Sequence, residues 1–224
     1  MVRMGGIEYI DTVVVPMSVF LAVGYHVFLW HSFRKNPSRT SLGIHSLQRS
    51  SWLRDIKQGD GKTGMLAVQS LRNTKMVAIL TATIAILVYL SLAAATNNSF
   101  MGSHLFGSQV LSGSHKDTIF VVKYGAAAVV MGASFFCSSM GVGYLVDAIF
   151  LINAMDMDMD MDMDMDMENA RMVMERGFLM STLGSRVMCI GIPLLLWLFG
   201  PLPVAASSLT LVFLLYHFDF PPLS

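Results

Sequence analysis

Apolar residues along the chain gather into four long stretches separated by polar connections. The first, YIDTVVVPMSVFLAVGYHVFLW, predicts a helix over residues 9–31. At 1.5 Å per residue it is roughly 33 Å long, enough to cross a hydrocarbon core of about 30 Å. Pro16 lies inside it and is tolerated, because neighbouring helices can satisfy the freed carbonyl. Tyr25, Trp30 and His31 mark its far end as an interfacial belt. The apolar run passes through Ala22-Val23-Gly24, and Glu8 and Asp11 precede it, so a retained span is expected rather than a cleaved leader. The second stretch covers 66–95, and its centre, MVAILTATIAILVYLSLAAA, carries no charge.

The third stretch, 118–152, would make a helix of about 52 Å, longer than a bilayer needs. A tilt, a break at Gly141-Val142-Gly143 or a protrusion must absorb the surplus. The fourth, 187–218, gives about 48 Å, long for one crossing and short for two with a turn. Pro193 and the Gly200-Pro201-Leu202-Pro203 break suggest one kinked span. Separate crossings by 177–199 and 203–218 would place Arg186 inside the bilayer, which is costly. The expected fold is therefore all-α: a single domain over 1–224, a polytopic transmembrane bundle of four spans, the last one kinked.

Composition agrees with lipid as the solvent. The chain is 54 % hydrophobic and 13 % charged, with mean hydropathy +0.59, whereas soluble domains carry about 25 % charged residues. Formal net charge is zero, and no nucleic-acid partner is expected. Cys137 and Cys189 both fall in apolar stretches and read as buried free thiols.

Charge is unevenly placed between the stretches. Residues 32–75 hold nine Lys/Arg against Asp55 and Asp60. Leu42, Trp52, Leu53 and Ile56 share one side of a helical wheel, which suits either a short helix lying along the headgroups or an ordinary solvated loop. Anionic lipid is a candidate partner for 34–75. With four spans, the first and third connections would carry nearly all the Lys/Arg, placing both in the cytosol and both termini on the opposite side.

Residues 155–168 read MDMDMDMDMDMDME. As a helix this run sets Asp158 against Asp162 and Asp160 against Asp164, like charges that each cost a few tenths of a kcal/mol. As a strand it has no evident partner. A frayed cytosolic loop that grew by repeat slippage is the favoured reading. Metal capture is disfavoured, since soft thioethers and hard carboxylates select different ions.

Chemical motifs are lacking. Gly61-Lys62-Thr63 resembles the end of a phosphate loop, but Ile56 stands where the first glycine belongs. No zinc spacing, nucleophile elbow or dinucleotide fingerprint occurs, so no cofactor and no enzyme activity are expected. Ionisable or polar groups within or at the mouths of the spans carry more weight, because burying them in lipid is expensive. These are His26, Arg72, Asn73, Lys123, Asp147 and Arg186. Asp147 could pair with Arg72 or Arg186, and His26 with a Ser or Thr on a neighbour. The functional reading is a polar cavity; the plainer one is structural pairing or snorkelling. Ala133, Cys137 and Gly141, like Ser134 and Ser138, recur at four-residue steps that favour close helix approach or self-association.

GYHVFLW (24–30), LAVQSLRNTKMVAILTATIAI (66–86), FFCSSMGVGYLVDAIFLIN (135–153) and GSRVMCIGIPLLLWLFGP (184–201) together resemble the plant-rich membrane family catalogued as domain of unknown function 599. The resemblance covers nearly the whole chain in order. It implies a polytopic membrane protein and carries over no catalytic residues. The Met-Asp run departs from the family pattern. The sequence thus predicts a non-enzymatic membrane component, with a small-solute carrier or channel subunit and an intramembrane enzyme as alternatives.

Overall fold

The computed structural model describes residues 2–58, 61–106, 115–157 and 163–220. It contains six α-helices: α1 (Val2–Lys35), α2 (Ser41–Gln58), α3 (Gly61–Phe106), α4 (His115–Met157), α5 (Met163–Leu196) and α6 (Pro201–Asp219). Short 3-10 turns at Pro37–Arg39 and Trp197–Phe199 join α1 to α2 and α5 to α6.

Five of these helices are long and apolar enough to cross a membrane, over Val13–Lys35, Met65–Asn97, Val122–Ala154, Met167–Phe199 and Pro201–Asp219. The expectation of four spans is therefore corrected to five candidates. The reason is local. Gly200 takes φ 129, a region that glycine enters without strain. Pro201 then opens α6 with its φ already helical. The chain reverses there instead of bending, so the last apolar stretch is two helices rather than one kinked one. Pro16 and Pro193, by contrast, lie inside unbroken helices. The surplus length of the third stretch is taken up neither by Gly141 nor by Gly143, since α4 runs through both.

The surfaces of these helices are those of a protein solvated by lipid. No candidate span buries more than 28 % of its most apolar window against protein. Phe20, Phe136, Phe150, Phe199, Leu202 and Phe213 are each at least two-thirds exposed. The chain exposes 14877 Å², against about 10,000 Å² for a compact soluble protein of this mass. In water so much apolar surface would drive aggregation; in hydrocarbon it costs nothing.

The centre of the bundle is the antiparallel seam of α4 and α5. On α4 the buried positions are Ala127, Met131, Ser134, Ser138, Gly141, Leu145, Ala148 and Ile152. Their steps alternate between four and three residues, the 3.5-residue period of left-handed helix pairs. Ala170, Met174, Gly177, Gly184 and Gly191 keep the same register on α5. A Cβ added to Gly184 would lie 2.8 Å from the Ser138 backbone nitrogen, and one on Gly141 would lie 2.7 Å from that of Ser181. The Ser134 hydroxyl donates across the seam to the Gly184 carbonyl at 2.8 Å. Thus Ser134, Ser138 and Gly141 do serve helix approach, whereas Ala133 faces outward and Cys137 is only half-buried. Cys189 is likewise a half-buried free thiol.

Leu71 of α3 joins Leu145, Ala148, Ile152, Ala170 and Met174 in one apolar cluster at the α2 end of the bundle. Leu92, Ala127 and Leu194 form another toward the opposite end, with Val19 of α1 against it. The Met-Asp run proves helical at both flanks, since α4 reaches Met157 and α5 begins at Met163. Helix propagates from well-packed ends more readily than it nucleates, so the helices extend into the run from both sides. Residues 158–162 lie outside the described residues, and with them the like-charge pairs Asp158–Asp162 and Asp160–Asp164.

Candidate functional site

Arg186 sits near the middle of the span Met167–Phe199, the placement that argued against a separate fifth helix. Its charge is met. Both of its terminal nitrogens donate to the carboxylate of Asp219, the last residue of α6, with Nη1–Oδ2 at 2.6 Å. The Tyr25 hydroxyl of α1 donates to the same Oδ2 at 2.6 Å. Asp219 is 1 % exposed and Tyr25 is buried. Three helices therefore meet at one bidentate ion pair capped by a phenol. The guanidinium fork matches a carboxylate in geometry, so the pair forms two parallel charge-assisted bonds. Phe220, just past α6, stacks near Phe28 and Tyr216 at ring distances of 5.7 and 5.1 Å and holds the end of α6 against α1. Every strong donor and acceptor of the cluster is turned inward. It is a tie between three helices.

Beside the tie lies a cavity of about 660 Å³ between α1, α2 and α5. Its walls are mainly apolar, with Val27, Trp30 and Phe33 on one side and Phe178, Leu179 and Leu183 on the other. Trp30, Leu179 and Leu183 are nearly half exposed, so the cavity opens sideways toward the bilayer. His26 and Arg186 line its deep end, and Arg49, Glu175 and Arg176 line the end beneath α2.

The chain folds α2 over this end by a compact turn. The Gly43 backbone N–H donates to the buried Thr40 hydroxyl at 3.2 Å, a side-chain cap at the start of α2. Gly43 has to be glycine, because a Cβ there would lie 2.0 Å from the Pro37 carbonyl oxygen. This geometry brings the Arg49 guanidinium over the Phe178 ring, 4.1 Å from its centre. Burial lowers the pKa of Arg49 from its ordinary value, partly offset by the nearby Glu175 carboxylate; an arginine remains charged regardless. Its Nε is buried with no hydrogen-bond partner among the described residues.

Of the six residues singled out in the sequence, the structure brings two together at this cavity, His26 and Arg186. His26 does not reach a Ser or Thr on a neighbour. Its Nδ1 lies 2.7 Å from the Ala22 carbonyl one turn back on its own helix, and its Nε2 is buried without a partner. Asp147 pairs with neither Arg72 nor Arg186. Asp147, Arg72 and Asn73 are exposed on the outer faces of α4 and α3, and Arg186 is taken by Asp219. Lys123 is half-buried near the far end, where its Nζ donates to the Trp197 carbonyl at 3.4 Å and lies over the Trp197 ring. The side chains of Trp52, Leu53 and Ile56 fall outside the described residues, although α2 is a helix as one of the two readings required. Among the described residues no three His, Cys, Asp or Glu side chains gather as a metal site would.

Sequence reasoning missed Asp219 and Tyr25. A carboxylate at the end of LVFLLYHFD was the available signal, since an acid bordering an apolar run implies a partner.

The helical fold of the described residues and its five candidate spans are consistent with a multi-pass helical membrane protein. Its sequence profile places it further: the chain belongs to the family described as "Protein of unknown function, DUF599", which matches residues 13–222. No curated protein and no solved structure matches the chain.

Proposed function

We propose that the protein is a non-enzymatic multi-pass membrane component whose basic connection faces the cytosolic leaflet and engages anionic lipid. The observation that carries this reading is the mutual satisfaction of Arg186, Asp219 and Tyr25. The strongest ionic groups inside the bundle, Arg186 and Asp219, are spent on holding helices together. The scatter of Arg72, Asn73 and Asp147 onto outer faces supports the same conclusion.

Five crossings also revise the orientation. An odd number puts the two ends on opposite sides, so the expectation of both termini outside gives way to an outside N-terminus and a cytosolic C-terminus. The positive-inside rule then keeps the α1–α3 and α4–α5 connections in the cytosol. Arg34, Lys35 and Arg39 sit at the α1 exit, with Arg34 over the Trp30 ring at 5.2 Å. Each such charge near an anionic surface contributes about 1 kcal/mol. Replacing all three with Gln should weaken binding of short-chain phosphatidylserine to the protein in neutral nanodiscs by about 3 kcal/mol, roughly a hundredfold. Undiminished binding would remove the lipid reading.

A carrier for small apolar solutes is the second reading, favoured by the cavity. Flux of a cavity-sized solute across proteoliposomes, abolished by filling the cavity, would select it over the first.

A further inference from the structure

The cavity between α1, α2 and α5 is unequal in charge along its length, and that inequality names a ligand. At the deep end Arg186 is neutralised by Asp219. At the α2 end the lining groups are Arg49, Arg176 and Glu175, two positive and one negative. Glu175 already accepts from the Arg171 Nε at 3.1 Å, whereas Arg49 makes no ion pair among the described residues. Beneath α2, at the mouth of an otherwise apolar slot, the two arginines thus outnumber the one carboxylate.

Volume restricts the occupant further. The cavity's 660 Å³ lies within the range of about 300–1,000 Å³ typical of single-ligand sites. If each carbon takes about the space of a water molecule, roughly 30 Å³, an eighteen-carbon chain needs about 540 Å³. One such chain fits, and two do not. The slot is also long: from Met172 to Ile190, both on its wall, α5 rises roughly 27 Å.

We propose that this cavity is a binding site for a single-chain amphiphilic carboxylate, a long-chain fatty acid by chemistry. Its carboxylate meets the Arg49 guanidinium beneath α2, and its chain runs between Trp30 and Phe33 on one wall and Phe178, Leu179 and Leu183 on the other. Three features converge on that polarity. Arg49 is held in place by its stacking on Phe178, so little side-chain entropy remains to be lost on binding. Its Nε lacks a partner, and a carboxylate beside it supplies the missing acceptor. Positive lining groups outnumber negative ones at this end, which favours an anionic headgroup over a neutral one. The lateral opening past Trp30, Leu179 and Leu183 lets the chain enter from the bilayer without passing through water. The proposal shares with the preceding reading only the bilayer placement, and Arg34, Lys35 and Arg39 take no part in it, so the two can fail separately.

The test uses the full-length protein in phosphatidylcholine nanodiscs, titrated with radiolabelled oleate and corrected for partition into protein-free discs. Saturable binding near one oleate per chain is expected. Arg49→Gln should weaken it at least tenfold, and Leu183→Trp, which fills the slot, should abolish it. The thermal midpoints of both variants serve as controls for folding. Oleyl alcohol, of the same length without the charge, should bind at least tenfold more weakly than oleate. Oleate uptake no greater than in empty discs would overturn the proposal, as would equal binding of the alcohol or of a folded Arg49→Gln variant. Displacement of oleate by diacyl phosphatidylserine at equal concentration would also overturn it, assigning the slot to ordinary bilayer lipid.

Discussion

Asp219→Ala is expected to destabilise the reconstituted protein by about 3–5 kcal/mol, the largest effect of any single substitution at an ionic group in the chain. The substitution removes both acceptors of the Arg186 fork and the acceptor of the Tyr25 hydroxyl at one stroke. Arg186 is then an unpaired cation near the middle of a span, with a side chain only 18 % exposed. Breaking a buried pair costs far more than never having had it, because the surviving charge stays desolvated. Removing both charges should therefore rescue the protein. Arg186→Met combined with Asp219→Leu should come within about 1 kcal/mol of the natural chain, or exceed it. Unfolding by sodium dodecyl sulfate from mixed micelles, followed by helix content, measures each variant. If Asp219→Ala alone changed stability by less than about 1 kcal/mol, the ion pair would not be what holds α6 to α5 and α1.

The second large effect lies at the α4–α5 seam. Gly184→Val is expected to cost about 3 kcal/mol or more, above the usual 1–3 kcal/mol for overpacking. The added Cβ would stand 2.8 Å from the Ser138 nitrogen and 2.1 Å from its hydroxyl oxygen. The hydroxyl can rotate away, but the backbone cannot, so the helices must separate along the seam. Separation would also break the Ser134 hydroxyl bond to the Gly184 carbonyl. Gly143→Ala, on the partner helix α4 with nothing within 4 Å of the new Cβ, is the control. It should be neutral or stabilising by up to about 1 kcal/mol, the usual helix preference for alanine over glycine. Equal effects at Gly184 and Gly143 would show that backbone contact across the seam is not what fixes this helix pair.

Much of the fold was legible because hydrocarbon imposes a length on helices, and apolar length is a local property of the sequence. The same is true of the seam, where small residues on α4 recur at the right spacing. What local reading could not supply was partnership. The penalty for Arg186 inside the bilayer was rightly recognised, but its remedy, Asp219, lies thirty-three positions on, and Tyr25 lies near the other end of the chain. Judged alone, the arginine argued against the very helix that neutralises it. Arg72 and Asp147 fail for a related reason. They were read as neighbours in depth, yet the helix register turns both outward, and hydropathy contains no information about facing. The cavity depends on a third non-local feature, the turn at Pro37–Arg39 that folds α2 back over α5. Arg49 was visible only as one of nine basic residues in a connection; its place over Phe178 follows from that turn.

The reversal at Gly200 is the point on which the five-span account stands, and it has a direct readout. Impermeant thiol reagents applied to sealed vesicles, with single cysteines introduced at Val2 and at Ser224 in a chain lacking Cys137 and Cys189, report the side on which each end lies. Labelling of the two positions from opposite faces is the predicted result. Labelling of both from the same face would contradict the account, because an even number of crossings would then be required and α6 could not be a separate span.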